Sequence, residues 1–271
     1  MYAFVSTLKA RMATGRTGFA LVAAVAALGL ASCENETMPA PAPETDYYPI
    51  AVGNFWTYAV VDSTWSQATG QGAGLVTSVP RATVYEFKET ITETFLDAAG
   101  KTAYRLVRSV RVPPGTTFRN DSVFVLSATD QFVALNRNNT RTVELIFPVR
   151  EGRSWNLNAF NNNFNDTITA ETRQYSRIGE SYTTAAVASA PAKTYTETLT
   201  TENTGAAAEN SLVKRTSYQQ VFAKGVGPVF RRRVNILPYT YVDANGNQVY
   251  PPGAFTLAFT RQETLIDYGP R

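Results

Sequence analysis

Residues 84–112 read VYEFKETITETFLDAAGKTAYRLVRSVRV. In Val84–Leu96 one row carries Tyr85, Phe87, Ile91 and Phe95, and the other Glu86, Lys88, Thr90, Thr92 and Thr94. In Tyr104–Val112 one row carries Tyr104, Leu106, Val110 and Val112 with Arg108 among them, against Arg105, Ser109 and Arg111. Successive strand side chains point to opposite faces, so this period of two predicts two strands, each with a buried and a wet face. Asp97-Ala98-Ala99-Gly100-Lys101 between them has the composition of a hairpin loop.

Working outward, the same pattern predicts strands over 54–61, 122–127, 132–137, 141–147, 167–173, 193–201, 212–222, 229–237 and 255–266. No long stretch after residue 46 has a helical period. The Ala-rich segment 182–192 comes nearest, and its Thr residues and Pro191 oppose it. The expected fold is therefore all-β: an antiparallel meander curved into a sandwich or open barrel, with little helix in the mature chain.

Two segments echo each other. Pro49-Ile50-Ala51-Val52-Gly53-Asn54-Phe55-Trp56 and Pro148-Val149-Arg150-Glu151-Gly152-Arg153-Ser154-Trp155 both read P-[IV]-x-x-G-x-x-W. The glycine allows a turn and the indole begins the next strand as a large anchor. Core packing is the expected role of both Trp residues; ligand binding is the sharper alternative. Residues 47–271 form either a single β domain or one built of two similar halves starting near 47 and 146.

The N-terminus has a different character. Residues 1–19 carry Lys9, Arg11 and Arg16 and no acid, and an apolar run follows from Phe19 to Leu30. A basic segment, a short apolar core and small residues before Cys33 predict a secretory signal over residues 1–32. The core is shorter than the roughly 20 residues of a membrane span. Residues 33–46 follow as a tether with alternating Pro39, Pro41 and Pro43, extended and stiff.

Leu30-Ala31-Ser32-Cys33 resembles the lipobox of bacterial lipoproteins. The resemblance implies lipidation of Cys33, the only cysteine of the chain, and cleavage just before it. Two or three acyl chains on one residue would make a stable membrane anchor. Glu34 and Glu36 resemble the acidic export signal of surface lipoproteins in Bacteroidetes-type bacteria, which implies an outer-membrane, surface-exposed location. YPIAVGNFWTY (Tyr48–Tyr58) and FAKGVGPVF (Phe222–Phe230) resemble recurring motifs of uncharacterised lipoproteins of that group. This resemblance implies location and β architecture, and no reaction. Asp62-Ser63-Thr64, Asp121-Ser122-Val123 and Asp166-Thr167-Ile168 resemble that group's O-glycosylation acceptors, which makes Ser63, Ser122 and Thr167 candidate glycan sites on exposed turns.

Composition excludes much chemistry. The 271 residues contain no histidine, and 25 Lys+Arg against 22 Asp+Glu. Removing the signal takes away three basic residues and leaves the mature chain neutral, which gives nucleic acid no electrostatic hold. Without histidine or a free thiol there is no Ser-His-Asp or Cys-His nucleophile system and no His- or Cys-ligated zinc. No phosphate-binding loop or dinucleotide fingerprint appears. No catalytic, cofactor-binding or metal-binding residue is assigned. Asp243-Ala244-Asn245-Gly246-Asn247 has its Gly too early for a calcium loop and reads as a hairpin turn. In Arg231-Arg232-Arg233, alternation puts Arg231 and Arg233 on one face, expected to be solvated.

The expected function is a lipid-anchored envelope or surface lipoprotein with a non-catalytic binding or structural role. Its partners are the membrane through Cys33 and a glycan, lipid or protein. One alternative is a lipid or lipoprotein carrier with an apolar cavity in a curved sheet; another is a carboxylate-dependent glycan hydrolase.

Overall fold

The computed structural model describes residues 44–113, 115, 117–161, 170–187, 191–205 and 208–270. The expected export signal, Cys33, most of the expected tether and Thr167 lie outside them. The described residues all belong to one compact unit, residues 43–271.

Twelve strands form one antiparallel sheet, nearly closed into a barrel. They are β1 (Phe55–Trp65), β2 (Pro80–Leu96), β3 (Thr102–Arg111), β4 (Arg119–Ala128), β5 (Phe132–Arg137), β6 (Thr140–Ile146), β7 (Ser154–Asn156), β8 (Thr172–Thr184), β9 (Lys193–Asn203), β10 (Arg215–Ala223), β11 (Gly227–Pro238) and β14 (Phe255–Gly269). The small hairpin of β12 (Tyr241–Val242) and β13 (Gln248–Val249) interrupts the run between β11 and β14. Apart from β6 and β7, which end the sheet on its two sides, each strand otherwise pairs with its sequence neighbours, and β1 pairs with β14 along almost its full length. Local hairpins thus build the whole sheet, as the expected meander requires. Among the described residues the helical pieces are short 3-10 turns at Glu44–Tyr47 and Gly72–Gly74, and no helix is long and apolar enough to cross a membrane.

β6 and β7 close the barrel differently. The Val143 N–H donates to the Leu157 carbonyl at 2.8 Å, and the Trp155 indole N–H donates to the Val143 carbonyl at 2.8 Å. The Asn161 side-chain amide takes both backbone groups of Arg141, each at 2.9 Å. The Tyr175 hydroxyl accepts from the Ile146 N–H at 2.8 Å and donates to the Ile146 carbonyl at 2.6 Å. Side chains here occupy the positions that a neighbouring strand would fill. An otherwise unpaired strand edge is thereby satisfied, removing a template for edge-to-edge association.

The two P-[IV]-x-x-G-x-x-W segments immediately precede β1 and β7 and divide the twelve strands into two runs of six. Gly53 and Gly152 both have positive φ, 94° and 73°. The indoles differ in setting: Trp56 is fully buried, whereas Trp155 is half-buried against the Tyr175 ring at 4.7 Å.

The register defines two barrel ends. The chain enters at the end where β1 starts, with the turns 97–101, 129–131, 147–153 and 224–226 and the last residues of β14. The loops 66–79 and 239–254 lie at the opposite end. The entry end is filled with rings. Tyr48 meets Trp56 edge-on at 5.6 Å and Phe222 at 6.1 Å. The Trp56 indole donates to the Val226 carbonyl at 2.6 Å and the Tyr58 hydroxyl to the Pro228 carbonyl at 2.8 Å. Gly227, at φ 101°, sits so close that a Cβ would lie 2.8 Å from the indole nitrogen. The segments YPIAVGNFWTY and FAKGVGPVF therefore pack on one another as a plug. The outward rows are mixed, with Lys88, Glu93, Arg105 and Arg232 beside exposed Val84, Phe95 and Val123.

Candidate functional site

Above the plug the barrel interior changes from apolar to charged. The inward row of β2 runs Tyr85, Phe87, Glu89, Ile91, and that of β3 runs Leu106, Arg108, Val110. Glu89 is wholly buried. It accepts from Arg108 at 2.6 Å and lies 3.5 Å from Arg231 of β11. Arg231 also meets Glu263 of β14 at 3.0 Å, and Arg137 of β5 meets Glu144 of β6 at 3.7 Å. The last two pairs stand on the fifth and sixth strands of their respective six-strand runs. Aromatic faces floor the layer: Arg108 stands 4.2 Å over Phe87 and 4.9 Å over Phe124, and Arg231 5.0 Å over Tyr58. Cations over rings in a desolvated site attract one another.

Burial by itself would raise the pKa of Glu89, but Arg231, Arg108 and Arg137 together outweigh it and hold the carboxyl at about 2. Glu89 is therefore ionised at any physiological pH. Further out, Arg261 grips Asp62 through two hydrogen bonds, both 2.7 Å. Tyr85 donates to the same carboxylate at 3.2 Å, and burial raises its phenol to about 12. Arg233 stacks 5.3 Å from the Tyr218 ring and has no carboxylate partner among the described residues.

These side chains enclose a cavity of about 200 Å³, lined by Arg108, Arg137, Tyr218, Arg231, Arg233, Phe259, Arg261 and Glu263. It lies on the side of the barrel away from the plug. Five guanidinium groups face it or flank it against four carboxylates, those of Asp62, Glu89, Glu144 and Glu263. Among the described residues no cluster of acidic, histidine or cysteine side chains could hold a metal ion.

Several expectations change here. Arg231 and Arg233 share a face, but only Arg233 is solvated on it: Arg231 is 6% exposed, whereas Arg233, which also lines the cavity, is exposed. Arg232 and Arg233 are both exposed, and Arg231 alone of the triplet is buried, where it meets Glu89 and Glu263. Phe95 leaves the apolar row of β2 because a bulge at Thr92 shifts the parity beyond Ile91, and it stands exposed. Ser63 lies near the end of β1 and Ser122 in β4, both inside strands rather than on turns. The Ser122 hydroxyl donates to Asp121 at 2.6 Å. The 243–247 segment forms the expected hairpin turn, with Asp243 accepting from the Asn245 and Asn247 backbone.

The cavity was not singled out from sequence, although its signal was present. Glu89 and Arg108 each interrupt an apolar row on the two arms of one hairpin, and in a closed sheet such residues must find each other. No protein-family model, curated protein or solved structure matches the chain. The class is therefore defined by geometry alone: a twelve-stranded meander barrel, plugged with rings at one end and lined with arginine at the other.

Proposed function

We propose that the protein is a lipid-anchored cell-envelope lipoprotein with a non-catalytic binding role, its ligand taken up at the arginine-lined end of the barrel. The observation that carries this reading is the cavity itself, walled by guanidinium groups whose buried donors lack acceptors. The described chain begins at the plugged end of the barrel, and the cavity lies on the side away from the plug. Charged residues along the outward rows, Glu93, Arg105 and Arg232 among them, suit a body standing in water. Glu34 and Glu36 beside the lipidation site favour the outer face of an outer membrane.

An apolar carrier is less well supported, because rings fill one half of the interior and arginines line the hollow in the other. A two-carboxylate hydrolase needs one protonated acid. Glu89 is held ionised and shares Arg231 with Glu263, which favours binding over hydrolysis.

The test is acylation in a Gram-negative host fed a clickable palmitate analogue. The protein should label and partition with the outer membrane, and Cys33→Ala should abolish labelling and release a soluble body. Equal labelling of the variant, or unlabelled wild type, would overturn the anchored reading. Protease access in intact cells then reports the leaflet.

A further inference from the structure

We propose that the cavity binds a small oxyanion of about monosaccharide size, a molecule bearing a carboxylate or a phosphate group; this rests on the binding role just proposed. Three observations converge on it. The first is charge: five guanidiniums face four carboxylates, and the surplus cation is Arg233, which lines the cavity, is exposed, and stands 5.3 Å from the Tyr218 ring. The second is donor surplus. The Nε–H groups of Arg108, Arg137 and Arg231 and the amide nitrogen of Gln220 have no acceptor, and Arg231 and Gln220 are both more than nine-tenths buried. Arginine offers five donors and no acceptor, so a cluster of arginines is short of oxygen atoms. The third is shape. About 200 Å³ holds roughly seven waters at about 30 Å³ each, which is about the volume of a sugar ring, and the Tyr218 and Phe259 rings beside the guanidiniums offer faces for a sugar ring or other flat body.

Stability does not account for such a layer. A buried network of ion pairs is worth little more than an apolar filling of the same volume, and often less. Guanidinium forks match carboxylate and phosphate oxygens in pairs, and a wall with a net positive charge favours anions.

The test is isothermal titration of the mature protein in detergent at fixed low ionic strength. The probes are glucuronate, glucose 6-phosphate, inorganic phosphate and neutral glucose. At least one acidic probe is expected to bind and glucose not to. The preference between glucuronate and glucose 6-phosphate assigns the carboxylate or phosphate source, and phosphate binding alone reduces the site to a free-anion site. Arg233→Gln should weaken binding at least tenfold and Arg233→Glu abolish it, whereas Arg232→Gln, on the outward face, should change it less than twofold. Arg233 anchors no carboxylate, so these variants should melt as wild type does. Failure of every acidic probe, equal binding of glucose, or equal effects of the 232 and 233 variants would overturn the proposal. A protein that is acylated yet binds no probe sinks this inference alone; one that binds but is not acylated sinks the anchored reading alone.

Discussion

At the end where the chain enters the barrel, Tyr48, Trp56, Tyr58 and Phe222 fill the interior ring against ring, and the indole and the Tyr58 hydroxyl reach backbone carbonyls. At the other end the same inward rows carry Glu89, Arg108, Arg231, Arg233 and Arg261, and a cavity remains between them. One sheet, continuous from end to end, thus has a half built for packing and a half built for charge. The difference teaches where to look for stability and where for recognition. Apolar burial contributes about 25 cal/mol per Å², while buried ion pairs largely offset their own desolvation. The plug should therefore set stability and the arginine layer should set what the molecule binds.

The sharpest way to break this contrast is Trp56→Ala. The indole is almost completely buried, fits over Gly227 and donates to Val226. Truncating a buried aromatic costs about 3–5 kcal/mol, so chemical denaturation should show a loss of that size. Binding of acidic probes to the fraction still folded should be unchanged. A loss under 1 kcal/mol would mean that the rings are not what holds the entry end.

Glu89→Gln probes the charged half and should cost a similar or somewhat smaller amount. It leaves Arg108 and Arg231 without their shared carboxylate, and breaking one side of a buried pair costs about 3–5 kcal/mol, less whatever the amide oxygen recovers. The same residue sets an acid limb. Its folded pKa of about 2 lies below the ordinary 4.5, so its contribution to stability is complete above pH 4.5 and drains away as pH falls towards 2. Wild-type stability should therefore fall across that window, and the Glu89→Gln variant should fall less steeply. Parallel acid limbs in the two proteins would show that Glu89 is not ionised by its arginines.

How much of this was readable beforehand depends on whether the cause is local. The alternation in 84–112 and the Asp97–Lys101 loop are local, and β2, β3 and their pairing follow from them. β5 agrees with the predicted 132–137, since its alternation is bounded by turn residues on both sides. The Trp repeat correctly marked strand starts. The direction in which a polar residue faces was harder to read. Arg231 reads as solvated when its triplet is taken alone, and only closure of β11 onto β14, with Glu89 across the interior, places it inside. Phe95 was misassigned because one residue, Thr92, bulges, and a one-residue slip reverses every side chain beyond it. The closure between β6 and β7 leaves no periodic trace, because it is made by the unrelated side chains of Trp155, Asn161 and Tyr175.

That closure supplies the smallest test, and it separates shape from charge. Tyr175 lies on β8, and its hydroxyl takes both backbone groups of Ile146 on β6. Tyr175→Phe removes one oxygen and leaves the ring against Trp155. Two backbone groups then lose a partner at a part-buried edge, where each unmade bond costs about 1 kcal/mol. The expected loss is about 1–2 kcal/mol, smaller than for either Trp56 or Glu89, with faster hydrogen exchange confined to the Ile146 amide and its β6 neighbours. The arginine layer shares β6 through Glu144, paired with Arg137. If acidic probes bind the variant as they bind wild type, the layer is held by the continuous strands and not by the closure. If binding falls in step with exchange at Ile146, the β6 edge positions the Glu144–Arg137 pair, and the side-chain closure is part of the recognition site as well as part of the wall.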